Sequence, residues 1–439
     1  MADYLQLRNE VELQLEQQQQ QQQDESKKKK MKRGNTRLAS LDVFRGLSVF
    51  LMIFVDYAGA ILPSISHSPW NGVHLADFVM PFFLFIVGVS LALVYKNVQN
   101  KVKATYKAVI RATQLFLLGI FLQGGYFHGI TSLTFGVDME SIRWLGILQR
   151  IALGYVIAAL CEIWLPCRTR LEITTSEKYY MNWCVILALC IIHSGLLYGL
   201  YVSDWEFRLP YSAYSMLSPH DSHIVYMVKC AVRGDLGPAC NAAGMIDRYI
   251  LGVDHLYKKP VYRNLKECSS SGYSHVSGSQ PPWCFAPFDP EGILSSLTAA
   301  VTCIIGLHYG HVLVQIEDHK SRLYHWLLCS FSLFGLGLLL TYAVCSFFSG
   351  IPLNKSLYSI SYMLLTSASA GITFCSIYVL VDIYGYKHLT FVLEWMGIHS
   401  LGIFVLVSSN LAVLAIHGFY WKSPDSNIIN WIVTRFVKK

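Results

Sequence analysis

The chain has 439 residues, of which 53% are hydrophobic and 14% charged, with a formal net charge of +7 and a mean hydropathy of +0.39. Soluble domains carry about 25% charged residues, so these proportions exclude an ordinary water-soluble globule and point to a chain dissolved in lipid. The surplus cations are not gathered on one soluble domain, which excludes nucleic acid as a partner and assigns them to loops on one side of a membrane.

Residues 1–36 are polar and low in complexity, with a glutamine run at 17–23, lysines at 27–30, then Lys32 and Arg33. They are expected to form a disordered cytosolic tail. The tail has no apolar core of a cleavable leader, so the first span is expected to serve as an uncleaved signal-anchor. Nine apolar segments follow, at roughly 43–62, 75–95, 108–125, 143–165, 182–203, 291–313, 324–348, 357–383 and 390–417, the first two close to the roughly 20 residues a bilayer core requires. The expected fold is an all-α polytopic membrane protein with about nine transmembrane helices. Alternate connections carry Lys96, Lys101, Lys103 and Lys107, then Arg168, Arg170 and Lys178, then Lys320 and Arg322, then Lys387. This bias puts those connections and the N-terminus in the cytosol.

The other connections are then lumenal or external. A short one, between the first two spans, holds His67. The longest, 204–290, holds Cys230, Cys240, Cys268 and Cys284. Four cysteines outside the cytosol predict two disulfides, in one of three pairings. No C-x-x-C spacing supports a metal. Asn354-Lys355-Ser356 is a glycosylation sequon, set too tightly against the spans to be used.

Charged groups within or beside the first two spans need a reason, because such groups usually face a bundle interior or a wet cavity. They are Asp42, Arg45, Asp56 and Asp77. Taken singly, Asp42 reads as a helix cap and Arg45 as a snorkelling side chain. Together with His67 they read as a site. A histidine titrates near neutral pH and can take a proton from an amine or hydroxyl, or carry an acyl group. Asp56 is the expected orienting carboxylate, as in a catalytic triad. Gln149-Arg150 lie inside the fourth span, where an arginine fork suits a phosphate; an ion pair to another span is the competing reading. Asp247-Arg248 and Asp254-His255 read as an ordered lumenal substructure. Asp289 and Glu291 read as caps of the sixth span. There is no P-loop, no dinucleotide fingerprint and no HExxH.

RLASLDVFRG, FVDYAGA and HSPWNGVHLADFVMPFFLFIVG resemble the start of the membrane domain of the heparan-α-glucosaminide N-acetyltransferase family. ILQRIALGY, CNAAGMIDRYILGVDHLY, PFDPEGIL and LNKSLYSISYML resemble later segments of that family in the same order, so the likeness runs from about Arg37 to Trp421. The resemblance implies a transmembrane acetyltransferase moving acetyl from cytosolic acetyl-CoA to an amino sugar or other acceptor on the lumenal side, without a metal. His67 inherits the family's catalytic histidine through HSPWNG, and Asp56 stands where the family has an asparagine. Arg45, Gln149 and Arg150 are expected to bind the CoA, and Asn71, Asp77, Asp254, His255, Asn354 and Lys355 the acceptor.

Animal members have a folded lumenal domain before the first span and a further span at the end. The polar tail and the ending WIVTRFVKK depart from this, so residues 422–439 are expected to be a short end and the chain to resemble plant-type members. Plants are not expected to make heparan sulfate, which leaves the acceptor open as a lumenal glycan or small molecule. The expected location is a lysosome- or vacuole-like endomembrane or the plasma membrane, and a homodimer is left open. The competing functions are a transporter or channel using the same charges, and an inactive scaffold.

Overall fold

The computed structural model describes residues 38–59, 62, 64–96, 98–123, 142–165, 176–208, 225–257, 259–268, 281–342 and 350–409. The expected tail over 1–36, the end of the ninth segment and the short end at 422–439 lie outside them.

The described part is helical, as its long apolar segments require. In chain order the helices are α1 (Ala39–Ala58), α2 (Ala76–Val94), α3 (Lys101–Gln123), α4 (Ile147–Trp164) and α5 (Ser176–Gly199), then the short α6 (Ala242–Leu251), α7 (Ile293–Gln315), α8 (His319–Tyr342), α9 (Ile360–Tyr378), α10 (Lys387–Ile398) and α11 (Ser400–Ser408). Seven of these, α2 to α5 and α7 to α9, are long and apolar enough to cross a membrane, and α10 with α11 makes an eighth if the two are one span. The remaining expected span is α1, a 20-residue helix that carries Asp42, Arg45 and Asp56.

α7 is central: 83% of its span is buried in the protein, against 17% for α3 and 22% for α5 and α8. Apolar groups on α3, α5 and α8 face outward, as lipid contact allows. Membrane helices gain little from apolar burial against each other, so they associate by close packing at small residues. α2 and α7 show this. A Cβ on Gly88 would lie 1.9 Å from the Cys303 carbonyl oxygen, and one on Gly306 2.1 Å from that of Phe85. The two backbones touch, and Phe85 meets Tyr309 edge-on at 4.9 Å between ring centres. A second such contact fixes α1. A Cβ on Gly46 would meet the Leu393 carbonyl oxygen at 1.7 Å, and one on Gly397 that of Asp42 at 1.8 Å.

The ninth segment is not one straight helix. It breaks at His399, with a bend of 65° between α10 and α11. The polar pair His399-Ser400 and the backbone contact at Gly397 stand where the hydropathy alone suggested continuity.

The 204–290 connection builds the ordered substructure expected of it, with one feature not foreseen. β1 (Trp205–Arg208) pairs antiparallel with β2 (Val225–Val228), Trp205 opposite Val228. The two expected disulfides are Cys230–Cys240 and Cys268–Cys284. The substructure rests on the helix ends through Trp70, whose ring meets Phe288 at 5.5 Å and Tyr262 at 5.9 Å and whose Nε1 donates to the Leu236 carbonyl at 2.9 Å. Asp289 and Glu291 do not cap α7, whose N-cap Gly292 receives no side-chain bond. Asp247 does that work from α6, accepting from the Ile293 amide at 2.8 Å.

Candidate active site

The site is built on the turn between α1 and α2, and its organiser is Asp77. This carboxylate is fully buried in the first turn of α2. Its Oδ2 accepts from the Ser68 amide at 3.2 Å and the His74 amide at 2.9 Å. Its Oδ1 lies 2.9 Å from His67 Nδ1. Three groups of the turn therefore converge on one anion placed where a helix N-terminus favours negative charge. The turn is closed by Ser68 Oγ donating to the Asn71 carbonyl at 2.9 Å and by Gly72 at φ +106°, a conformation that side chains with a Cβ rarely adopt.

A second loop, 350–359, locks onto the first. The Gly72 amide donates to the Leu353 carbonyl at 2.8 Å, Asn71 and Asn354 form an isolated antiparallel bridge, and Asn354 Nδ2 donates to Asn71 Oδ1 at 3.2 Å. This brings Lys355 Nζ to 2.8 Å from His67 Nδ1 and 3.4 Å from Asp77 Oδ1. Burial lowers the Lys355 ammonium from its ordinary value, while Asp77 and Glu291 act to hold the proton on it.

A third group comes from the approach to α7. Arg143 binds Asp289 through Nε at 2.9 Å and through its terminal nitrogen at 2.5 Å, and Glu291 at 2.5 Å. Its guanidinium lies 4.6 Å from the centre of the Tyr257 ring. Burial opposes ionisation of Glu291, yet Arg143 holds it below the ordinary carboxylate value. Asp289, more strongly desolvated than it is compensated, is raised.

His67, Lys355 and Glu291 line one end of a cavity of about 730 Å³ that also reaches Asp56 and Arg45. Such a volume suits a small-molecule ligand. Arg45 and Asp56 are eleven positions apart on α1, so the cavity runs roughly 16 Å along that helix. Its walls are apolar, with Met80, Phe83, Val87, Ile151 and Phe404 among them. No described residue hydrogen-bonds His67 Nε2.

Several expected site residues meet here and others do not. His67, Asp56, Arg45 and Lys355 share the cavity. The carboxylate bonded to His67 is Asp77, not Asp56: Asp56 makes no hydrogen bond among the described residues and feels His67 and Lys355 only through space. Asp42 lies in the first turn of α1 and binds Arg45 at 3.1 Å, and Arg45 also donates to Ser90 at 3.3 Å. Gln149 and Arg150 do not line the cavity. They are 0% and 1% exposed, and Arg150 donates to the Pro290 carbonyl and Ser295 Oγ under the Tyr358 ring. These bonds tie α4 to the start of α7. Asn71 and Asn354 join the two loops, and the side chain of Asn354 is fully buried, in keeping with an unused sequon. Asp254 and His255 stand away from the cavity; His255 Nδ1 bonds the Ile142 carbonyl at 2.7 Å.

The sequence reading missed Glu291 and Arg143. A signal was present, since RWLG puts an arginine at the mouth of a span, where it needs an anion. Among the described residues no cluster suited to a metal ion occurs.

A family model described as "Heparan-alpha-glucosaminide N-acetyltransferase, catalytic" matches residues 37–217. The chain is 30% identical over 370 residues to the heparan-alpha-glucosaminide N-acetyltransferase of Mus musculus, an alignment covering 80% of this chain and 50% of that protein. It is 30% identical over 374 residues to that of Homo sapiens, covering 80% and 49%. The chain thus spans about half the length of these relatives.

Proposed function

The chain belongs to the heparan-alpha-glucosaminide N-acetyltransferase family, and on that premise we propose that it is a membrane-embedded acetyltransferase with His67 as its general base. Acetyl-CoA is the donor substrate, entering from the cytosolic side, and the acceptor is an amine-bearing molecule on the lumenal side. The single observation that carries this reading is the cavity joining Arg45 to His67. A slender acyl-pantetheine arm fits such a passage, with Arg45 near the CoA phosphates and the thioester beside the imidazole.

The chemistry follows from the tautomer. With its proton on Nδ1 and directed at Asp77, the ring keeps its Nε2 lone pair for the acceptor. The acceptor nitrogen attacks the thioester carbonyl carbon, the C–N bond forms, the C–S bond breaks, and Nε2 takes the proton the nitrogen sheds. That proton then neutralises the departing thiolate to give CoA. Asp56, a carboxylate without a hydrogen-bond partner among the described residues, attracts a cationic acceptor to the same end, and the acceptor attacks as the neutral amine after giving one proton to water. The apolar walls keep water from the thioester.

The test is transfer of labelled acetyl from acetyl-CoA in membranes bearing the wild-type chain, His67→Ala or Arg45→Gln. The reading expects wild-type transfer, its loss by at least a hundredfold in His67→Ala, and a raised KM for acetyl-CoA in Arg45→Gln. Undiminished transfer in His67→Ala would remove the imidazole from the reaction, and solute flux without any acetyl donor would favour a transporter.

A further inference from the structure

Lys355 sits on a loop built at some expense to hold it. Tyr358 has φ +48°, the sole non-glycine residue at positive φ among those described, in a region that a large side chain rarely enters. Such a conformation persists only where the surroundings over-determine it, and here they do. The Asn354 amide donates to Ser359 Oγ at 3.1 Å, Asn354 Oδ1 accepts from the Leu357 amide at 2.9 Å, and the Tyr358 amide donates to the Lys355 carbonyl at 3.0 Å. The Tyr358 ring is fully buried, with its hydroxyl 3.1 Å from that of Thr302. The outcome of all this is one ammonium placed against one imidazole nitrogen.

That placement sets up a competition. His67 Nδ1 is 2.9 Å from Asp77 Oδ1 and 2.8 Å from Lys355 Nζ. A protonated Nδ1 donates to Asp77 and offers nothing to Lys355. A bare Nδ1 accepts from Lys355, and the proton then sits on Nε2. The two neighbours select opposite tautomers. The other charges facing this group are Asp56 from α1 and, through Lys355, Glu291 and Arg150.

We propose that Lys355 is a positioning residue that resets His67 in each cycle: its ammonium opposes the doubly protonated ring and accelerates release of the Nε2 proton to the leaving thiolate. The inference rests on the role given to His67 above. Before transfer, Nδ1–H bonds Asp77 and Nε2 is bare. After Nε2 has taken the acceptor's proton, the ring carries two N–H groups and a positive charge next to Lys355. Their repulsion is relieved when Nε2–H passes to the thiolate, and the neutral ring with its Nδ1 proton returns. Lys355 gains and loses no proton in the cycle. It touches neither donor nor acceptor at the reacting atoms.

Lys355→Met, of similar length and without charge, and Lys355→Arg, which keeps the charge, test this in the full-length protein in detergent or membranes. The acid limb of the transfer rate against pH is expected to move up by about one unit in Lys355→Met, since losing a contact cation favours the protonated ring, and to stay within a few tenths of wild type in Lys355→Arg. Thermal melting of both variants reports folding. A Lys355→Met protein that melts like wild type and shows an unmoved limb would overturn the proposal, as would a uniform loss at all pH values without a shift. A second readout does not need turnover. In protein labelled with ¹⁵N-histidine, with His67→Ala identifying the signal, the share of His67 bearing its proton on Nε2 is expected to fall in Lys355→Met at a pH where the ring is neutral. An unchanged share overturns the proposal even if transfer is absent, whereas a lowered share with no transfer in wild type would instead defeat the acetyltransferase reading.

Discussion

Replacing Asp77 by asparagine isolates the orienting role of the buried carboxylate. Its two oxygens accept from Ser68, His74 and His67. A hydrogen bond to a charged group contributes about 1.5–3 kcal/mol, so Asp77→Ala, removing all three, costs about 4.5–9 kcal/mol and dismantles the turn. Asparagine retains one oxygen. If that oxygen keeps the two amides, the new NH₂ faces His67 Nδ1, which must then accept, and the ring's proton is forced onto Nε2. The base is lost while the turn survives. We expect transfer from labelled acetyl-CoA to fall by a factor on the order of 10³–10⁴, as for a triad histidine in the wrong tautomer, with melting lowered by the equivalent of about 1–3 kcal/mol. Asp77 does not line the cavity, so KM for acetyl-CoA should hold. A variant with wild-type kcat, or one in which only KM moves, would refute the assignment of Asp77 to His67.

Two further outcomes follow from buried charge. Arg143→Met leaves Asp289 and Glu291, which are 1% and 8% exposed, without their cation. Breaking a buried pair in this way costs about 3–5 kcal/mol, to be read from melting and yield in detergent, and adding Asp289→Asn with Glu291→Gln should recover much of the loss. Asp247 supplies the pH dependence. Burial pushes its carboxyl up to about 7, and Asp289 adds to this against the Ile293 amide, Arg150 and Arg248. A raised folded-state value contributes stability that is complete below the unfolded value near 4 and is lost as pH rises through about 7. Melting of the wild type should therefore decline across pH 4 to 8 more steeply than that of Asp247→Asn, which keeps an oxygen for the Ile293 amide. Parallel curves would show that Asp247 is not the titrating group.

Much of this molecule was written in the order of its residues. Runs of apolar side chains near bilayer length have one outcome in lipid, helices with every backbone group paired inside the segment. Hence the long apolar helices and the 204–290 connection with its two disulfides were legible beforehand. His67 and Arg45 were singled out as polar groups in or beside spans and Lys355 through the LNKSLYSISYML likeness, and the three line one cavity. What could not be read was who meets whom. Asp56 and Asp77 look alike as carboxylates flanking one histidine, and only the packed turn shows which one bonds it. Lys355 and His67 are 288 positions apart, and the sign and strength of their interaction depend on a few tenths of a nanometre set by the Asn71–Asn354 bridge and the strained turn at Tyr358. Arg150 looked like a phosphate ligand, and the fold buries it against the Pro290 carbonyl, Ser295 Oγ and the Tyr358 ring. Hydropathy is a property of each segment and survives in the one-dimensional record. Electrostatic partnership falls steeply with distance and belongs to the assembled helices.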